Sequence, residues 1–447
     1  MTPATIAIIG SGISGLSAAW LLSRTSNVTL FEKSGRIGGH TNTVIANMPE
    51  GPVAVDTGFI VFNEQNYGNL CALFSHLGVE TSRSSMGFAV SVEAGRMEYC
   101  GEHLNGLFGQ RRNIIRPEHW KLVGDILRFF REAETQANGI SDEMTIGEFL
   151  SKFGYSRVFV EDHILPISSA IWSTPARTML EFPAKSFIAF FANHGLLEVK
   201  VNERPLWRTV TGGAQQYVSR LLDDADIETR TNAQIARVIR GPLGAELTFE
   251  DGSRRHFDHV VFACHADEAL RLLGDSSPEE RRLLGAFRFT PNRAVLHTDK
   301  RFMPRRKRLW SAWNYLRDEA TGEAQLSLSY WMNKLQPLAT KTDIFVTLNP
   351  GHDFAPGSVQ YDVMYDHPVF DAAAIAAQGD FWRIQGRNAT WFSGAWLGYG
   401  FHEDGLQSGL EVAERIGGLE RPWSVGRARD RIAHNWAGEE HLKWAAE

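Results

Sequence analysis

The chain opens on an unbroken apolar run, Thr5-Ile-Ala-Ile-Ile-Gly10. β-Branched residues without polar alternation predict a short parallel strand buried on both faces. Gly10-Ser-Gly12-Ile-Ser14-Gly15 follows, and Leu16–Leu22 then reads as a helix. Val28–Phe31 predicts a second strand, closed by Glu32. The buried-strand pattern returns at Val260–Ala263, before Cys264-His265, and at Thr390–Ser393, before Gly394. Glu246–Glu250 and Arg255–Phe257 read as two arms of a hairpin turned by Asp251-Gly252. Gln215–Leu222 predicts a helix, and Leu326–Trp331 alternates as a strand does. Residues 81–204 are mostly helical by pattern. Within them Phe187, Phe190, Phe191 and His194 fall on one helical face.

The first glycines lie between a strand and a helix, where a dinucleotide site needs them. Gly10 makes the tight turn, Gly12 admits a pyrophosphate close to the backbone, and Gly15 lets helix and strand pack. Ser14 sits at the helix start, whose positive end faces the phosphates. Glu32 stands 17 residues beyond Gly15, about where a ribose-binding acid belongs. The motif begins almost at the N-terminus, so the expected location is cytosolic.

Composition narrows the class. The 447 residues predict two or three domains. A net charge of −6 argues against nucleic acid as a partner. Three scattered cysteines make neither a disulfide framework nor a zinc site, and no other metal site is predicted. Thirteen tryptophans leave a large apolar area to bury or to present. One run is locally cationic: Lys300-Arg301-Phe302-Met303-Pro-Arg305-Arg306-Lys307-Arg308 holds six cations and no acid. Arg111-Arg112 is a smaller patch. A solvated surface is one reading of these runs. The other is peripheral docking at the inner membrane surface, with Phe302 and Met303 dipping into the interface.

The segment after Glu32 decides which dinucleotide. Lys33-Ser-Gly35-Arg36-Ile-Gly38-Gly39-His40-Thr41 resembles the second glycine motif of the FAD-dependent amine-oxidoreductase superfamily, which includes amine oxidases, protoporphyrinogen oxidases and carotenoid desaturases. Val55-Asp56-Thr57-Gly58 and Thr211-Gly212-Gly213 resemble further landmarks of that superfamily, as does Gly398–Gly409 near the C-terminus. The resemblance implies FAD and an α/β fold; no cysteine sits in a recognisable flavinylation context, so FAD is expected to bind non-covalently. A discontinuous Rossmann-like FAD domain, about 1–80, 205–285 and 376–447, would carry an α+β substrate domain at 81–204 and 286–375. It places Gly10, Gly12, Ser14, Gly15, Glu32, Lys33, Arg36, Gly38, Gly39, His40, Thr41, Thr57, Gly58, Val238, Ala263, Glu403, Gly405 and Leu406 at the cofactor. Val238 would offer its backbone to the adenine, and a helix starting near Gly405 would face the pyrimidine end of the flavin.

Two departures from amine oxidases are visible. Asn292–Leu296, where a lysine near the flavin belongs, has none, and His402 stands where an aromatic cage residue would be. His40 and His402 are therefore the candidate catalytic residues. His40 is read either as a proton-moving or substrate-orienting group, or as a structural histidine of the glycine loop. Trp172, Phe191, His194, Trp313 and Trp331 are candidates for an apolar substrate pocket, with core packing as the alternative for each. Trp172-Ser-Thr-Pro175 belongs to that aromatic stretch. The chain also resembles a bacterial group of NAD/FAD-binding proteins associated with cyclopropane-fatty-acyl synthases, through Gly38–Thr43, Asn193–Leu197, Tyr330–Asn333 and Phe401–Gly405. That association implies a lipid substrate, a fatty acyl chain, and a lipid-modifying methyltransferase as partner. An amine or amino-acid oxidase is the first alternative. A flavin-binding partner protein without turnover is the second.

Overall fold

The computed structural model describes residues 3–93, 95–102, 104–172, 176–198, 205–241, 243–317, 327–426 and 432. Ser173–Pro175 of the aromatic stretch, Leu326, and residues 427–431 and 433–447 of the predicted C-terminal segment lie outside the described residues.

Five strands form one parallel sheet, in the order Ile227–Arg230, Asn27–Phe31, Thr5–Ile9, His259–Phe262, Thr390–Phe392. They come from three separate stretches of chain. Helix Ile13–Leu22 leaves the first strand and is buried along its whole length. That burial explains its sequence, which has no polar face. Helix His402–Gly417 covers it. A Cβ added at Gly409 would lie 2.1 Å from the Ser14 carbonyl oxygen, so the two helices meet at backbone distance. The predicted hairpin is present as Gly244–Phe249 and Arg254–Phe257, with Gly252 at φ +82° and Asp251 accepting from the Ser253 backbone N–H at 2.8 Å.

The second region is built on a seven-stranded sheet. Its order is Val359–Val369, Arg288–His297, Phe345–Leu348, Ser327–Trp331, Trp313–Arg317, Phe88–Val92, Met97–Cys100. Three strands, Thr81–Arg83, Phe88–Val92 and Met97–Cys100, open the mostly helical segment 81–204. Met97–Cys100 is buried at every position, so it carries no alternation for a pattern to reveal. Helices Pro117–Ala137, Ile146–Lys152, Leu165–Trp172 and Ala184–Asn193 pack beside the sheet around Phe129, Phe149, Phe159, Phe187 and Phe191. The two regions have separate hydrophobic cores.

In the cationic run 300–308 the apolar residues are folded down, while Lys300, Arg301 and Lys307 stay at the surface. Phe302 and Met303 are buried, with Phe302 stacked on His352 at 4.0 Å, so neither can enter an interface. Lys300 pairs with Asp343 at 2.9 Å, Arg301 with Asp299 at 2.6 Å, and Arg306 with the buried Glu98 at 2.5 Å. Among the described residues no helix is long and apolar enough to cross a membrane.

Candidate functional site

A void of about 1820 Å³ begins at the glycine loop and runs between the two regions into the helical layer. Its first wall is backbone. Gly10, at φ +108°, sits so near the neighbouring strand that a Cβ would lie 2.7 Å from the Ala263 carbonyl oxygen. A Cβ on Gly15 would fall 1.9 Å from the Gly10 carbonyl oxygen. At Gly12 a Cβ would meet nothing within 4 Å. Gly12 is also the N-cap of helix Ile13–Leu22, and no side chain caps that helix. Its first N–H groups and positive end are thus presented to a void with room for an anion.

Glu32 lines the same wall and ties it together. One carboxylate oxygen accepts from Ser11 N at 3.1 Å and Ser11 Oγ at 2.6 Å, and the other from Ser34 N at 2.8 Å. Lys33 lines the void and pairs with Glu268. Arg36 does not line it. Its guanidinium donates to the carbonyls of Gly39 and Thr41, both at 2.6 Å, and fastens the Gly38-Gly39 turn beneath the loop. Gly39 (φ +57°) lies against Gly12, and a Cβ at Gly58 would fall 2.0 Å from the His40 carbonyl oxygen. Thr57 lines the void with its hydroxyl at 2.8 Å from Tyr365 OH. Ala263 lines it at the end of its strand.

Asp56 explains why two distant landmarks occur together. Its buried carboxylate accepts from Thr43 Oγ1 at 2.5 Å, Ala214 N at 2.9 Å and Gln336 Nε2 at 2.8 Å. It therefore anchors the start of helix Gln215–Asp223 just after Gly212-Gly213. Burial pushes its carboxyl up to about 7.

The two candidate histidines have different surroundings. His402 is locked in place. Its Nε2 lies 2.7 Å from Tyr217 OH and 3.2 Å from Thr41 Oγ1, and its ring stacks on Phe59 at 3.8 Å. Burial pulls its imidazole down to about 3, so it is neutral. Thr41 is spent in this network and stays out of the void's lining. His40 lies at the seam between the regions, stacked on Tyr365 at 4.9 Å and 5.2 Å from His367. Its Nε2 is buried without a hydrogen-bond partner among the described residues. Desolvation, then the neighbouring His367, hold its imidazole well below the usual range.

Several predicted residues lie away from the void. Val238 is in the core, and its carbonyl accepts from Gly274 N at 2.9 Å; Ala233, Gln234 and Ile235 line the wall instead. The lining residues come three to five positions before Val238, at the start of strand Ile235–Gly241. Glu403 is buried but faces helix Gly68–His76. Its carboxylate accepts from Asn69 N, Leu70 N, Asn69 Nδ2 and Gln407 Nε2, all at 2.9–3.0 Å. Gly405 and Leu406 are inside their helix: a Cβ on Gly405 would lie 2.7 Å from Ile13 Cγ2, and Leu406 is core. The helix begins at His402, so Tyr399–His402 border the void where Gly405 was expected. Gly15 and Gly38 shape the loop from behind without lining it.

In the second region Trp172, His194 and Trp313 line the void, while Phe191 and Trp331 do not. Each of those two is off by one position. Phe190 faces the void and Phe191 stacks on Phe187 at 4.5 Å. Tyr330 faces it and Trp331 packs with Trp310 and Phe345, as alternation along a strand requires. Tyr365, His367 and His265 complete the seam. Sequence reading missed Tyr365 and His367 because their strand, 359–369, has no motif.

The residues present fit a dinucleotide: an uncapped helix start, glycines at backbone contact, and an acid on the adjacent strand end. The model of the family described as flavin containing amine oxidoreductase matches residues 13–339. Coproporphyrinogen III oxidase of Mycobacterium tuberculosis is 24% identical over 298 residues, 62% of each chain. Protoporphyrinogen oxidase 2 of Arabidopsis thaliana is 51% identical over 43 residues, 9% of this chain and 8% of its own. The chain thus spans less than two thirds of these curated relatives. Among solved structures, cyclohexylamine oxidase from Brevibacterium oxydans superposes with a TM-score of 0.68 at 17% identity, covering 93% of this chain and 99% of that one. A CLA-producing fatty acid isomerase from P. acnes superposes with a TM-score of 0.67 at 16% identity, covering 92% of this chain and 98% of that one. Identity this low carries the fold alone. The family match and the fitted cradle settle the rest: the chain belongs to the flavin containing amine oxidoreductases, with FAD as its cofactor.

Proposed function

We propose that the protein is an FAD-dependent oxidoreductase that withdraws a hydride from an apolar substrate, a fatty acyl chain of a lipid. One observation carries this reading. Beyond the seam the void is walled by Ile126, Leu127, Phe130, Ile167, Ile171 and Phe190, and no lysine or arginine lines that half among the described residues. The basic lining residues, Lys33 and Arg271, are by the nucleotide loop and on the helix after Ala263. A substrate rich in carboxylates would find no counter-charge here. A cationic amine would meet Glu102, whose carboxylate is already matched by Lys334 at 3.4 Å. The fold of the P. acnes fatty acid isomerase supports an acyl chain as a substrate this architecture accommodates.

FAD supplies the two-electron acceptor when bound. The protein's part is to exclude water, to hold the chain against the seam, and to offer a neutral imidazole there. His40 is that imidazole: it borders the void at the seam and takes the proton from the carbon next to the one losing hydride. His402, fixed by Tyr217 and Thr41, is a positioning residue. The test is anaerobic titration of the oxidised flavin band. Detergent-dispersed phospholipid should bleach it, and mass analysis should find the acyl chain lighter by two hydrogens. Bleaching by short amines alone would refute the acyl reading.

A further inference from the structure

We propose that residues 111–127 form a docking surface for an anionic lipid bilayer, beside the substrate end of the void. Nine large apolar side chains stand exposed among the described residues, and four of them fall in this one stretch: Ile114 (47%), Ile115 (83%), Trp120 (53%) and Leu127 (38%). Scattered exposed apolar residues are ordinary; a cluster marks an interaction site. The cluster is held rigidly. Arg111–Ile115 is a 3-10 turn leading into helix Pro117–Ala137. Trp120 donates its indole N–H to the Ile114 carbonyl at 2.8 Å and rests on Phe108 at 4.8 Å. Its polar group is satisfied within the protein, and its exposed ring is apolar.

Charge names the occupant. Between 111 and 127 the sequence has Arg111, Arg112, Arg116 and Lys121 against Glu118 and Asp125, and Asp125 pairs with Arg128 at 3.1 Å. Among the described residues none of the three arginines forms an ion pair. Arg111 donates to the Phe108 carbonyl at 3.4 Å, and Arg112 and Arg116 both donate to that of Arg96. Desolvation, then the neighbouring Arg112 and Arg96, hold the Arg116 guanidinium below its ordinary value, a repulsion that an anion would relieve. Run 300–308 is the contrast: its apolar residues are buried and its Lys300, Arg301 and Arg306 are paired with acids. Apolar tips ringed by uncompensated arginines match the layering of an anionic membrane, with headgroup phosphates above and acyl chains below.

The position gives the surface a purpose. Leu127 is exposed and also lines the void, together with Asn105, Leu107, Ile126 and Phe130. An acyl chain leaving the bilayer at this face would meet the apolar wall directly. That purpose rests on the proposed function; the docking itself does not.

The experiment is flotation of the flavin-loaded protein with vesicles of phosphatidylcholine alone and of phosphatidylcholine with phosphatidylglycerol. Retention is expected on the anionic vesicles only, declining as salt is added. Arg111→Glu and Ile115→Glu should each lower the partition coefficient by at least about fivefold, with flavin absorbance and circular dichroism unchanged. Arg308→Glu, in the other run, should leave it as it is. Absence of retention on anionic vesicles, equal retention on neutral ones, or full retention of both variants would overturn the proposal. So would a solution mass of twice the chain that Ile115→Glu returns to one chain, since the patch would then seat a second copy. Bleaching by detergent-dispersed lipid needs no vesicle, so it should be the same in both variants. In the unsubstituted protein, absence of flotation with bleaching intact refutes the docking alone, and flotation without bleaching refutes the acyl reaction alone.

Discussion

The two walls of the void are made differently. On the nucleotide side the chain shapes the site with its backbone. Gly10, Gly15, Gly39 and Gly58 sit where a single added carbon would strike a main-chain atom. On the other side Phe190, Trp172, Ile167 and Tyr330 define the space with side chains carried on a helical layer and a sheet. A backbone wall tolerates almost no substitution, while a side-chain wall can be reshaped one residue at a time. The difference teaches where specificity can change without loss of the cofactor.

The harshest test of that contrast is Gly15→Val. Its Cβ would displace the Gly10 carbonyl, so the loop must open and the helix withdraw from the strand. The variant should purify without flavin or fail to fold, read by the absorbance band and by circular dichroism. Normal flavin content in a folded variant would break the comparison. Glu403→Ala comes next. It leaves two backbone N–H groups and two side-chain amides around helix Gly68–His76 without their acceptor. A loss of about 3 kcal/mol is expected from the urea midpoint. It would show that the nucleotide side also depends on one side chain where two helices are tied together.

The same contrast explains what could be seen in advance. Gly10–Gly15, Arg36–Gly39 and Asp56–Gly58 were legible because backbone constraints permit few residue types at short spacing. The parallel strands were legible because full burial removes polar residues. Phe191 and Trp331 were placed one residue out, since periodicity finds a face without saying which neighbour of a pair borders a cavity. Glu403 was assigned to the flavin, but its partners Asn69 and Leu70 lie more than 300 residues away in sequence and only folding brings them near. The pairing of Asp56 with Ala214 was hidden for the same reason.

Asp56 sharpens the comparison through pH. Its folded value, about 7, is above the usual carboxylate value of 3.8. Between these the folded chain binds the proton and the unfolded chain does not, so the contribution of Asp56 to stability is greatest at low pH and falls as pH rises toward 7. The full span corresponds to about 4 kcal/mol. Asp56→Asn removes the titration and keeps an acceptor for Ala214 N, so the decline in the denaturation midpoint between about pH 4 and pH 7 should flatten. An unchanged slope would mean that Asp56 is ionised throughout and that its three donors outweigh burial.

The smallest effect isolates the side-chain wall. Phe190→Leu and Phe191→Leu remove the same ring atoms from adjacent positions of helix Ala184–Asn193, and both rings are buried. Each should cost about 1–2 kcal/mol of stability, because each leaves a comparable gap in packing. They part at the site. Phe190 borders the void and stacks on His194 at 3.8 Å, whereas Phe191 faces Phe187 and Phe129 in the core. Only Phe190→Leu should change the lipid concentration needed for half-bleaching of the flavin, by about tenfold if one ring's contact with the chain is lost. Flavin content should be unaltered in both, since neither touches the backbone wall. An equal shift in the two variants would mean that the helix moves as a unit and that the wall is not reshaped residue by residue.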